Sequence, residues 1–577
     1  MQSITNNVNK LLIHLEASKH NSNPRHSARV LKQLTKLANC EFTDPSQLIR
    51  FQECLLFLRA FPSSRSLIPH VEKLLNTFHN RVEKLRISQA DMSLFDDFDT
   101  SGISGTTMQD ILSFDVVRWL ARRIPRNVEI AWQDYWDDYQ SERARGSIWP
   151  RFIPLLEEDA DVEANIPWQR WLDAARGQQK PLPWLIQRFE QLPLPGRHRA
   201  ELYDSLHLPI RWTLENLKLS RTRNWSSPRS FYFHDAPLIQ RSEVSLAREL
   251  SQPAPTFEKL SPAAGESVMR AIRDVMVVRY RELYGTTLGD PHTVVRADLG
   301  RGVVMHFWGL PPTRRLPLRA YVAGYTLKNG VPINYIEAIG LCEWIEVGFN
   351  TFYTYRHGET AWIYAQALRC LRALTAAKCI SIYPYQIGQN NDEAIDSGAF
   401  WFYRKLGFRP GRADLQKLCE KEEQKIAANR QYKTPARILK RLAEAHMFYD
   451  VDSSEGLAAA GPWDTFSTRN LGLLINRRMA RHYNGDSTKI RQASTNAITS
   501  ALKINLAHWT QPQIESLENW SLILALIPNI NRWAPDEKLQ LIKIIRAKSA
   551  SNELPYFRQT QHHQRLRAEL LRLGSQK

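Results

Sequence analysis

Apolar positions recur at three- and four-residue spacing through the first ninety residues. Val30-Leu31, Leu34 and Leu37-Ala38 form one such stripe, and Leu55-Leu56-Phe57 with Ala60 another. This spacing predicts short amphipathic helices over 1–90. Ser101–Thr107 predicts a loop capping a helix over Asp110–Arg123. From about 165 to 235 further Trp- and Leu-rich helices are broken at Pro181, Pro183, Pro193 and Pro195. Ser251–Pro262 carries three prolines and few anchoring residues, and predicts a linker. After a helix over Glu266–Tyr284 the period changes. Strands are expected at Thr293–Ala297, Val303–Trp308, Leu318–Leu327, Ile333–Gly340, Cys342–Tyr355 and Cys379–Tyr385, with Lys328-Asn329-Gly330 closing a hairpin. From about 411 to Lys577 the pattern is helical again.

The 577 residues suggest three or four domains. The pattern divides them into a helical region (1–90), an acidic Trp-rich helical region (91–250), the linker (251–262), a central mixed region (263–412) and a helical tail (413–577). Hydrophobic residues make up 43% and charged residues 24%, which excludes a wholly disordered or fibrous chain. The formal net charge is +18, and residues 416–577 hold 25 Lys and Arg against 15 Asp and Glu. Basic clusters there, such as Arg477-Arg478 with Arg481, are interleaved with Trp463, Trp509, Trp520 and Trp533. They make nucleic acid a possible partner through the C-terminal helices, beside the plainer reading of a solvated basic face.

Acidic runs sit at Asp96–Asp99, Asp134–Asp138 and Glu157–Asp161. The first lacks the ligand ladder and the twelfth-position Glu of a calcium loop. The scattered cysteines, with His562-His563 in a polar tail, show no zinc spacing, so no metal is expected. Met1–Asn7 lacks the features of a secretory signal, and no apolar run reaches bilayer-spanning length. Reduced thiols and the lack of a membrane segment lead to a cytoplasmic expectation.

Candidate chemistry concentrates in Leu341–Pro410. A strand over Glu346–Tyr353 enters the turn Arg356-His357-Gly358-Glu359-Thr360-Ala361, which opens a helix, Glu359 to about Leu374, apolar almost all round. The free N–H groups and positive dipole end of that helix face the turn, and Arg356 adds charge, an arrangement suited to a phosphate. A second strand leads through Asn390-Asn391 into a helix ending Phe402-Tyr403-Arg404-Lys405-Leu406-Gly407-Phe408.

This order and that closing heptapeptide resemble the GNAT superfamily of acyl-CoA-dependent acyltransferases over about residues 262–412. The resemblance implies an α+β fold whose central mixed sheet carries flanking helices, and the apolar spacing adds mainly α-helical regions before and after it. It further implies transfer of an acyl group, acetyl above all, from acyl-CoA to a small-molecule or protein amine. An aminoacyl-tRNA donor is conceivable, since some relatives of the fold use tRNA. Arg356, His357, Gly358, Thr360, Ala361 and Asn391 would hold the cofactor, Glu346 would be the general base, and Tyr403 the acid that protonates the leaving thiolate. Glu359 stands where the family's central glycine is expected. The plainer roles stay open: Glu346 as a solvent-facing strand residue, Tyr403 as packing, Arg356 as a surface pair and Asn391 as a helix cap. So does a scaffold of this fold, without chemistry, that binds protein or nucleic acid.

Overall fold

The computed structural model describes residues 2–20, 24–136, 148–153, 168–429, 431–452 and 461–575. The acidic residues Asp137, Asp138 and Glu157–Asp161, and Arg430 of the basic tail, lie outside these. The chain divides into two compact units. The first takes in residues 1–238, 269–288 and 328–332, and the second 239–268, 289–327 and 333–577.

The first unit begins with the expected helices, Gln2–Ser18, Pro24–Ala38, Pro45–Ala60, Leu67–Asn76 and His79–Ile87. Pro45–Ala60 is buried along nearly its whole length, and its N-terminus is capped by the Asp44 carboxylate, which accepts the Ser46 N–H at 2.8 Å. Arg59, buried on this helix, forms an ion pair with Glu72 at 2.6 Å and donates to the Thr222 carbonyl at 3.0 Å. A small antiparallel sheet follows, from β1 (Thr107–Ile111), β2 (Val128–Ile130) and β3 (Pro209–Thr213), in the order β1-β3-β2. Met108, Ile210 and Trp212 point from it into a core shared with Val117, Leu120 and Phe189. The expected helix from Asp110 therefore starts only at Phe114, because Asp110 and Ile111 pair with Ile210 and Pro209.

The second unit is built on a nine-stranded sheet. Its strands are β4 (Phe257–Lys259), β5 (Val295–Asp298), β6 (Val303–Trp308), β7 (Ala320–Lys328), β8 (Val331–Leu341), β9 (Trp344–Thr351), β10 (Cys379–Ile382), β11 (Arg409–Pro410) and β12 (Met447–Asp450). The order is β11-β12-β10-β9-β8-β7-β6-β5-β4. At the β7–β8 turn Asn329 and Gly330 both have positive φ, +47° and +77°, as a two-residue hairpin loop of the primed type requires. The β9–β10 pair is parallel, bridged by the helix Thr360–Thr375. With helices and such a sheet, the chain is of the α+β class.

Two elements depart from expectation. The Pro-rich stretch read as a linker contains β4, which pairs with β5 through Phe257↔Ala297. The tail read as helical contributes β12, which lies antiparallel between β10 and β11. Arg409 of β11 fixes this corner: its guanidinium bonds Asp464 at 2.7 Å and Asp450 at 2.9 Å, with Arg409 and Asp464 both buried.

The remaining tail is helical, and its core consumes most of its tryptophans. Trp463, Trp520 and Trp533 are buried, so they cannot serve as stacking platforms on the surface. Arg567 of the same region is tied to Glu343 at 2.7 and 2.8 Å.

Candidate active site

β9 outlasts its parallel partner. The register runs Cys379↔Trp344, Ile380↔Ile345 and Ser381↔Glu346, and β10 ends at Ile382, just before Tyr383-Pro384. Proline offers no N–H to a ladder, so a strand stops there readily. Residues 347–351 of β9 stay antiparallel to β8 on one side but leave β10 behind on the other. On that side β9 therefore has no strand partner beyond Glu346.

Glu346 is half-buried and lies on the sheet face of Trp344 and Gly348, since strand side chains alternate. One of its carboxylate oxygens is 2.8 Å from His446 Nε2, and the other is 3.6 Å from an Arg319 nitrogen. His446 stands one residue before β12, and its ring meets Tyr383 edge-on at 5.4 Å. An imidazole bonded to a carboxylate can receive a proton and pass it to solvent. On the same face Glu337, opposite Gly348, accepts a hydrogen bond from the Tyr321 hydroxyl. Sequence reasoning found Glu346 but neither His446 nor Glu337. His446 lies 100 positions along the chain in a segment expected to be helical, and nothing local marks it.

Tyr403 is buried in an aromatic cluster, with ring centroids 5.6 Å from Tyr364, 5.2 Å from Phe402 and 5.8 Å from Phe408. Burial raises its hydroxyl above the ordinary tyrosine value, because a phenolate is poorly solvated there. The group keeps its proton, as a donor must.

At the far end of the open edge, Arg356 Nε donates to the Thr351 carbonyl at 3.3 Å, and the guanidinium is paired with Glu393. His357 is exposed. The Gly358 N–H donates to the Tyr355 carbonyl at 2.9 Å, closing the turn. The Thr360 hydroxyl turns back to the Arg356 carbonyl at 3.1 Å, and Ala361 is buried. The first intrahelical bond runs from the Ile363 N–H to the Glu359 carbonyl at 2.9 Å, so the N–H groups of Thr360, Ala361 and Trp362 belong to the helix's opening turn.

The Glu359 side chain is wholly buried, paired with Arg301 and accepting the Ile239 N–H at 3.3 Å. Its charge is thus neutralised within the protein. Asn391 works as a cap: Oδ1 accepts the Ala394 N–H at 3.1 Å and Nδ2 donates to the Tyr385 carbonyl at 3.0 Å.

Among the described residues no three His, Cys, Asp or Glu side chains are grouped to hold a metal ion, and no helix is long and apolar enough to cross a membrane. An apolar cavity lined by Ile345, Gly340, Leu374 and Phe557 lies on the sheet face opposite Glu346 and apart from this edge. No family model, curated protein or solved structure matches the chain.

Proposed function

We infer that the chain transfers an acyl group, acetyl in the simplest case, from an acyl-CoA to an amine, and that its central region is a GNAT-type domain. The observation that carries this reading is the open edge of β9. It runs from Glu346 with His446 at one end to Arg356 and a helix N-terminus at the other, roughly 17 Å along the strand. An extended thioester with an anionic tail fits such a track, its phosphates at Arg356 and the opening turn of Thr360–Thr375 and its acyl carbon near Glu346. The amine nitrogen attacks the thioester carbonyl, forming the C–N bond and breaking the C–S bond. Glu346, with His446 behind it, takes the ammonium proton, and the Tyr403 hydroxyl supplies one to the departing thiolate. The acceptor is a small-molecule or protein amine.

Calorimetric titration with acetyl-CoA tests the donor site. Micromolar binding is expected in the wild type, with affinity reduced about tenfold or more in Arg356→Ala, since a charge-assisted contact is worth on the order of 1.5–3 kcal/mol. Tyr403→Phe is expected to lower kcat on the order of 10²-fold with binding intact. Unchanged turnover would remove the acid role.

A second reading, a scaffold of this fold without chemistry, is favoured by Glu359, whose buried side chain stands where the family's central glycine is expected. A folded wild-type protein that binds no acyl-CoA would select it. Binding of nucleic acid through the basic tail would then show as an affinity that falls with salt.

A further inference from the structure

The open edge of β9 is already covered by a side chain. The Phe349 N–H donates to Gln386 Oε1 at 3.4 Å, and Gln386 Nε2 donates to the Val347 carbonyl at 3.2 Å. A carboxamide has the donor and acceptor of a peptide group, so Gln386 stands in for the strand residue that β10 fails to provide. It satisfies backbone groups that would otherwise lie unpaired in a half-buried cleft. Any extended ligand that pairs with β9 through an amide needs these same two groups.

Gln386 is the half-buried residue of a turn anchored by the buried Pro384 and Ile387, so its side chain can leave without the turn. Pro384–Ile387 is a single turn between the strand end and Gly388, whose φ is +126°. Its neighbours Tyr383 and Tyr385 are 49% and 54% exposed, and Gln386 itself is half-buried. Tyr364 packs on Phe349 at 4.8 Å and is fully buried, yet its hydroxyl has no hydrogen-bond partner among the described residues.

We propose that Gln386 is a displaceable placeholder that occupies the amide-pairing positions of the donor track and competes with the pantetheine arm of the acyl-CoA. This rests on the acyl-transfer reading. The ligand's amide takes over the bonds at Val347 and Phe349 while the Gln386 side chain rotates outward from a turn that the buried Pro384 and Ile387 hold in place. Gln386 thereby sets how tightly the donor binds.

The full chain and its Gln386→Ala variant, with matching thermal midpoints as the folding control, are titrated with acetyl-CoA and with an extended peptide. In parallel, amide exchange is followed in the 347–349 segment. Without ligand the variant exchanges faster at Phe349, and acetyl-CoA restores protection in both proteins. Acetyl-CoA binds the variant about tenfold tighter, equivalent to ~1.4 kcal/mol. Equal or weaker acetyl-CoA binding by a folded variant overturns the placeholder and leaves acyl transfer standing. Tighter binding of the peptide, with acetyl-CoA bound by neither protein, supports a placeholder on this edge and overturns the acyl-transfer reading. Binding of neither probe by either protein overturns both.

Discussion

Two histidines of the second unit are held in opposite ways, and the difference decides what each can do. His446 sits half-exposed, its Nε2 2.8 Å from the Glu346 carboxylate. His306, on β6, is buried and stacked on Tyr325 at 5.3 Å, and its Nδ1 has no partner among the described residues. Burial, with Arg296 adding repulsion, pushes it down from 6.5 to about 4. Above pH 6.5 folded and unfolded chains both hold it neutral, and it contributes no pH dependence. As the pH falls through 6.5 the unfolded chain binds a proton that the folded chain refuses, so stability declines until about pH 4. The full loss is on the order of 3 kcal/mol. His306→Phe keeps a ring on Tyr325 and lacks the titration. Its unfolding free energy in urea is expected to fall less than the wild type's between pH 7 and 4.5, by ~2 kcal/mol.

At the scale of elements, the corner where β11 meets β12 is held by charge. Arg409 lies between Asp450 and the buried Asp464, whose carboxyl is raised by burial even with the guanidinium beside it. Removing the cation strands a buried carboxylate. Arg409→Met is expected to cost about 3–5 kcal/mol in denaturant unfolding, whereas Arg412→Met, on an exposed pair with Asp414, should change it by less than about 1 kcal/mol.

This corner also shows where sequence reasoning stops. Val303–Trp308 was legible to the residue, being apolar but for His306 and rich in valine and aromatic side chains. β12, with four residues amid helices, and β4, with three beside prolines, carry no periodicity of their own. Such strands exist because a neighbour offers hydrogen bonds, a fact recorded in the neighbour's sequence. The candidate site divides the same way. The Arg356–Ala361 turn could be placed from local pattern, and Glu346 from the resemblance. His446 beside Glu346, Arg301 beside Glu359 and Gln386 on β9 depend on tertiary approach and left no local mark. The caps were easier, and Asn391 is bonded as a cap because that role needs only the three residues that follow it.

Across the whole molecule, the six cysteines are all free thiols, five buried and Cys40 partly exposed. Burial pushes Cys54 and Cys370 up to about 12 and Cys419 to about 11, so these stay protonated at neutral pH. A chromogenic disulfide reagent is therefore expected to titrate at most one thiol rapidly in the native protein and six in denaturant. Two or more fast native thiols would show that the cores open readily.

The position of β12 also gives the chain a timetable. β11 is made before β12, yet β12 is its partner and separates it from β10. During synthesis β10 emerges from the ribosome with one margin bare, and β11 waits beside it with nothing to pair with. The gap cannot close before residue 450 has been delivered, and the segment that closes it also carries His446 to Glu346. A chain ending near residue 412 would carry the whole closing heptapeptide, but neither the sealed margin nor the His446 ring that bonds Glu346. Assembly of the candidate site is thus coupled to translation well past the segment in which its chemistry is written.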